Sequence, residues 1–376
     1  MKKLILFISV VTILFGGGIT SAVDIEVRTG LNYDWWESDS DDQGEQFFIP
    51  IQIDAQYEDF SCRVLTAYTY TSLDPSGGQD QSLSNIVDTK VNLSYKILEK
   101  FPVDILFGLD LNLPTGRTDL EEKELYLIMD PDLISITSLG EGFNINPIVT
   151  LAREWDKWVA GMGLGYMWRG EYDYSSNYKD YDPGDIFNLC AEVAYDFSPE
   201  WRSRLFGDYA QYGKGEVDNT DFYQEGDFFS VGLGVHHYQS TWDAGLTIKG
   251  IFRDKSEIQP YQGATSISTE DKNSHGDEWH ADLSGRYFLD DKTTLNSALE
   301  FLWIDKNGYS SDSDFYIGKR NKISLGFGIV RLLRTYLEAE LNVKGFYLDE
   351  DENWYHPDDD RDYKGFSIGA KLTSRF

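Results

Sequence analysis

The sequence predicts an all-β fold, a transmembrane, antiparallel up-and-down β-barrel of about sixteen strands, and three observations carry that prediction. Apolar residues recur at every second position along nearly the whole chain, the spacing that puts side chains on one face of a strand. The connections between these runs are alternately long and short, so hairpin ends fall on two distinct sides. One face of the runs is apolar and free of charge while the other carries charges of both signs, the signature of a sheet between two different solvents.

Composition sets the bounds. A chain of 376 residues suits one closed barrel, and an aromatic content of 15%, with 24 Tyr, 22 Phe and 10 Trp, suits strands and interfacial girdles of rings. A mean hydropathy of −0.41 would exclude helical spans, but barrel strands turn half their residues inward. Beyond the N-terminal stretch no run of 18 apolar residues occurs. The net charge of −31, from 64 acids and 33 bases, excludes a nucleic-acid binder. Cys62 and Cys190 fall on opposite parities of their strands, which argues against a disulfide even in an oxidising compartment.

Lys2 and Lys3 precede an apolar run from Leu4 to Phe15, and Thr20, Ser21 and Ala22 follow. This predicts a secretory signal peptide over residues 1–22, and hence a barrel over 23–376 in the outer membrane of a Gram-negative cell envelope. Cleavage removes two bases and leaves a mature charge of −33. The first strand starts at once, with Ile25, Val27, Thr29, Leu31, Tyr33 and Trp35 on one face, which leaves no room for a plug domain. The second runs from Phe47 to Tyr57 and the third from Phe60 to Thr71. The others are expected at 85–97, 102–113, 143–155, 158–172, 185–197, 201–212, 226–238, 242–255, 277–289, 293–305, 321–331, 335–347 and 363–376, sixteen in all, with fourteen if a weak pair merges.

Long joins are expected around 38–45, 72–84, 114–142, 173–184, 213–225, 257–276, 306–319 and 348–362. Between them lie joins of two to four residues, such as Asp156 and Lys157. The outward faces, for example Val103, Ile105, Phe107, Leu109 and Leu111, contain no charge, as hydrocarbon requires, since a basic residue at mid-bilayer costs about 2 to 4 kcal/mol. Rings gather beside the short turns, as at Trp155 and Trp158 or Phe197 and Trp201, like an interfacial girdle.

The opposite parity supplies the candidate lumen-lining residues: Arg28, Arg63, Asp104, Asp110, Arg202, Arg204, Lys249, Arg253, Arg286, Glu300, Glu338 and Glu340. So many charges can face inward only if water or opposite charges satisfy them. A sixteen-stranded barrel leaves an aqueous channel, whereas eight strands would be filled by side chains. The segment Pro114 to Gly142, with its apolar patch Leu125 to Met129, is the candidate for a constricting loop.

Two resemblances sharpen this. The last strand alternates cleanly and stops on Phe376, which resembles the closing strand of bacterial outer-membrane barrels, where a terminal Phe is an insertion signal. Gly108 to Gly116 reads GLDLNLPTG and Leu139 to Pro147 reads LGEGFNINP. This pairing resembles the meta-pathway phenol degradation family of outer-membrane transporters, with Glu141 where a small hydroxylated residue or Gly is expected. The resemblance implies a channel for small organic, often aromatic, molecules. The expected partners are therefore small-molecule solutes, outer-membrane lipid and lipopolysaccharide, and the barrel-assembly machinery during insertion, with no nucleic acid and no cofactor.

Chemistry is sparse. There is no Gly-x-Ser-x-Gly and no His-Glu-x-x-His, and the adjacent His236 and His237 must point to opposite faces of their strand. His280 with Asp282 on one inward parity is the nearest thing to a hydrolytic pair, and a hydrogen-bonded wall pair is the simpler reading. No catalytic, cofactor or metal residues are assigned, and the chain is not expected to be an enzyme. The acidic runs in the long joins lack the spacing of a calcium-binding hand and read as solvated surface. The expected function is passive diffusion or uptake of small organic solutes, aromatic and hydrophobic ones included. The alternatives are a non-conducting structural or adhesive surface barrel and a barrel hydrolase.

Overall fold

A computed structural model describes residues 23–261, 263–352 and 360–376; the expected signal peptide lies outside them, as do His356 and the acids Asp358 and Asp359. Sixteen strands form one antiparallel wall: β1 (Asp24–Ser38), β2 (Gln43–Tyr57), β3 (Phe60–Asp74), β4 (Gln81–Ile86 and Thr89–Ile97), β5 (Asp104–Leu113), β6 (Asn144–Trp155), β7 (Trp158–Arg169), β8 (Ile186–Ser198), β9 (Trp201–Tyr212), β10 (Phe228–Tyr238), β11 (Trp242–Arg253), β12 (Glu278–Asp290), β13 (Thr293–Ile304), β14 (Arg320–Arg334), β15 (Leu337–Glu350) and β16 (Arg361–Arg375). Each pairs with the next, and β1 pairs with β16 from Glu26 opposite Arg375 to Ser38 opposite Tyr363, so the sheet closes on itself. No plug domain is present among the described residues, and no helix is long and apolar enough to cross a membrane.

The count of sixteen treats β4 as one strand in two pieces. Both pieces pair with β3, Ile86 opposite Tyr68 and Lys90 opposite Leu65, and the ladder breaks between them at Val87 and Asp88. The break escapes pattern reading because the alternation continues on both sides of it.

The strands reach further than expected at the long-join end. β2 starts at Gln43, β3 ends at Asp74 and β4 starts at Gln81, which leaves turns of a few residues where broad loops were predicted. Above a membrane both faces of a strand meet water, so the apolar alternation fades while the hydrogen-bond ladder goes on. Parts of three long joins assemble a second, five-stranded sheet from Tyr181–Asp182, Gly215–Val217, Thr220–Gln224, Glu257–Ile258 and Ser268–Thr269. Most of those segments are two or three residues long, too short to leave a periodic signal.

The outward faces are apolar and exposed, as at Phe107, Leu205, Leu233, Ile248 and Leu341. This is the reverse of a soluble protein and what a lipid-covered wall requires. Trp155, Trp158, Trp201 and Trp242 are likewise exposed beside the short turns. His237 sits between the rings of Trp201 and Trp242 on the outer face, with centroids 4.2 and 4.9 Å away, while His236 stacks on Tyr238 and lies 3.8 Å from Asp243. Tyr238 thus shares the face of His236. Cys62 and Cys190 are both free thiols.

Candidate functional site: a loop clamped across the barrel

The join between β5 and β6, residues 114–143, does not stand away from the barrel. It leaves one wall and fastens to the opposite one, where β14, β15, β16, β1 and β2 lie.

Its base is organised by Asp88, in the break of β4. The Asp88 carboxylate accepts hydrogen bonds from the backbone N–H of Gly116 (2.8 Å) and Glu141 (2.7 Å) and from the Asn112 side-chain amide (2.6 Å). Its own N–H donates to the Leu139 carbonyl at 3.0 Å. A Cβ on Gly116 would lie 1.9 Å from that carbonyl oxygen, and Gly142 adopts φ +74°, so glycine is required at both ends of the loop. The words LPTG and LGEG are therefore the two feet of the loop, brought together on one carboxylate. Glu141 is tolerated there because the contact to Asp88 uses its backbone.

The loop then forms a single helical turn, α1 (Glu122–Leu125). The Glu124 carboxylate accepts from the Glu121 N–H at 2.8 Å and is gripped by both terminal nitrogens of Arg117, at 2.9 and 2.6 Å. Burial works to raise the Glu124 carboxyl, but these donors outweigh it and hold it below the usual carboxylate range.

Beyond α1 the loop meets the far wall. Met129 and Ile134 pack with Trp36, Leu348 and Tyr363 in a buried apolar cluster, with the Trp36 indole N–H donating to the Met129 sulfur at 3.3 Å. The Arg320 guanidinium bridges Asp130 (2.6 Å), Asp132 (3.2 Å) and Glu350 (2.7 Å), joining loop to strand through a fork that suits carboxylates. Lys322 adds a contact to the Asp132 carboxylate at 3.5 Å. The Gln46 amide pairs with the backbone of Ile136 in both directions, 2.8 Å each, and Asp34 accepts from the Ser135 N–H at 2.9 Å. These two wall side chains are fully buried, so the loop satisfies groups that would otherwise be stranded.

Between the clamped loop and the wall formed by β11 to β16 lies a cavity of about 770 Å³. Leu125, Ile128 and Leu133 of the loop and Ile304 and Ile317 opposite make it largely apolar, while Arg253, Glu278, Arg320 and Glu350 line its polar part with His275. That size and mixture suit a small organic molecule.

The twelve sequence candidates all lie on wall strands, on the face opposite the exposed apolar one, and most sit in ion pairs between neighbouring strands. Arg28 and Arg63 share Asp54, at 3.3 and 2.5 Å. Arg202 pairs with Asp196 at 2.8 Å, Arg204 with Glu192 at 3.4 Å and Arg286 with Asp243 at 2.7 Å. Glu300 pairs with Lys344 at 3.3 Å, Glu338 with Arg375 at 3.7 Å and Glu340 with Lys371. Asp104 accepts from the Glu99 N–H at 2.9 Å, and Asp110 meets Asn92 and Asn146. Lys249 stands opposite His280 in the β11–β12 ladder. Arg253 alone of the twelve reaches the cavity, 3.4 Å from Glu278.

Missed from the sequence were Asp34, Trp36, Gln46, Asp88 and Arg320, the residues that hold the loop. Their inward parity could be read, but their partners lie in a segment with no periodicity. The predicted pair of His280 and Asp282 is not joined by a hydrogen bond; His280 bonds Glu278 instead. Among the described residues no cluster of three or more His, Cys, Asp or Glu could hold a metal ion.

A family model described as "Putative MetA-pathway of phenol degradation" matches residues 15–256. Among solved structures, OccAB1 of Acinetobacter baumannii is 7% identical with a TM-score of 0.50, over 96% of this chain and 98% of that one. OccK7 (OpdD) of Pseudomonas aeruginosa is 9% identical with a TM-score of 0.48, over 94% and 98%. The CymD monoaromatic hydrocarbon channel is 9% identical with a TM-score of 0.45, over 94% and 88%. At these identities the likeness is one of fold. No curated protein matches.

Proposed function

This chain belongs to the MetA-pathway phenol degradation family, and from that premise we propose that it is an outer-membrane channel through which small organic solutes, aromatic and hydrophobic ones among them, diffuse passively. The observation that carries the proposal is the clamped loop 114–143, because a segment held across a barrel by ion pairs narrows a passage, and a merely structural wall has no need of one. The paired charges on the inner faces of the strands support a wet interior, since they leave few bare charges yet many polar surfaces for water. In this reading the long joins face the cell exterior, the short turns face the periplasm, and the cavity of about 770 Å³ is the vestibule in which a solute sheds water against the apolar side of the loop.

Planar-bilayer recording tests it. The purified protein is expected to give discrete conductance steps, and removal of residues 121–136 is expected to enlarge them. Repeated insertion of heat-modifiable, folded barrels with no current steps would instead favour a closed surface barrel.

A further inference from the structure

The cavity has two guanidiniums in its lining, yet neither is free to take an anion. Arg253 lies 3.8 Å from Glu225 and 3.4 Å from Glu278, and Arg320 is held by Asp130, Asp132 and Glu350. A carboxylate solute could recruit either one only by displacing an acidic partner into a half-buried, apolar setting, which opposes binding. Three carboxylates of the lining, from Asp130, Glu278 and Glu350, face those two guanidiniums, so the cavity as a whole is negative.

His275 adds a third feature. Its Nε2 is enclosed with no hydrogen-bond partner, and burial together with the nearby Arg253 lowers its imidazole, which favours the neutral ring. A neutral imidazole in the lining adds no positive charge that would repel a cation. The rest of the lining is apolar, and the net charge of −31 enriches cations at the mouth of the barrel.

We propose that this cavity is a selectivity site for organic cations, specifically amines that carry an apolar body, and that the pore prefers cations to anions. The ammonium would lie against the Glu278 carboxylate, which accepts from Arg253 and His280 and keeps lone pairs for a further donor, and the apolar body against Leu125 and Ile128. This deepens the channel reading and rests on it for the permeation part.

The test has two arms. In a potassium chloride gradient the reversal potential is expected to have the sign of a cation-selective pore, and benzylammonium is expected to interrupt the current where benzoate at equal concentration does not. In detergent micelles, calorimetry is expected to detect benzylammonium binding, about tenfold weaker in Glu278→Gln, with no benzoate binding. Anion selectivity, or benzoate binding as tight as benzylammonium, overturns the proposal while leaving a channel intact. Absence of current sinks the channel instead, and the micelle measurement on the unaltered protein still decides the cation site.

Discussion

Asp88 shows how much can hang on one side chain. It sits where β4 gives up its ladder, and its carboxylate replaces the lost strand bonds with two backbone N–H groups and an amide from the feet of the loop. Hydrogen bonds to a charged acceptor contribute about 1.5 to 3 kcal/mol each, and donors left buried without a partner add a penalty. Asp88→Ala is therefore expected to destabilise the folded barrel by about 3 kcal/mol, read as a lower conversion temperature of the compact band on gels, and to make the open-channel current noisier. Asp88→Asn should fall between, since one amide oxygen can still accept. At this scale the sequence was legible only in part. The inward parity of Asp88, like that of His280, followed from alternation, but its role needed partners 24, 28 and 53 residues away. His280 makes the same point, because Asp282 and Glu278 are equally spaced from it along the strand and only rotamer choice selects Glu278.

Among elements, the decisive one is the loop 114–143, whose apolar patch and length marked it as a constriction while its attachment stayed hidden. Strands announce themselves through period two, whereas a clamp is a set of single contacts between a non-periodic segment and positions scattered over five strands. Arg320 is the centre of that clamp. Arg320→Ala leaves Asp130, Asp132 and Glu350 facing one another without their shared counter-charge, so the loop tip is expected to leave the wall. Single-channel records should then show larger steps with rapid flicker. Arg320→Lys, which keeps the charge but not the fork, should give an intermediate record. The helical turn α1 responds to acid. Because the Glu124 carboxyl is held low in the fold, its contribution is present above the pH at which a free Glu titrates, about 4.3, and is lost as pH falls through its lower folded value. The protection of residues 121–128 against hydrogen exchange, taken relative to the intrinsic rate at each pH, is thus expected to be unchanged between pH 7 and 5 and to fall only below about pH 4.

For the whole molecule the question is what keeps a sixteen-stranded sheet closed. Near the short-turn end a chain of charges runs across five strands, from Glu338 of β15 through Arg375 of β16, Glu26 and Arg28 of β1 and Asp54 of β2 to Arg63 of β3, and it crosses the seam where first and last strands meet. These side chains are partly exposed, and such pairs contribute about 0 to 1 kcal/mol each. The seam also has a continuous backbone ladder, extended by bonds in both directions between Ile25 and Phe376, and the two strands approach so closely that a Cβ on Gly30 would lie 2.4 Å from the Ala370 carbonyl oxygen. Backbone contact cannot yield as a flexible side chain can, so closure depends on the ladder and the charges only reinforce it. Arg375→Ala is expected to cost about 1 kcal/mol and lower the conversion temperature slightly, with the barrel still closed. Gly30→Ala forces β1 and β16 apart and should lower that temperature much further, with faster exchange of the amides on both strands. If Arg375→Ala proved the more damaging of the two, closure would be electrostatic, and raising the salt concentration should then open the unaltered barrel at the same seam.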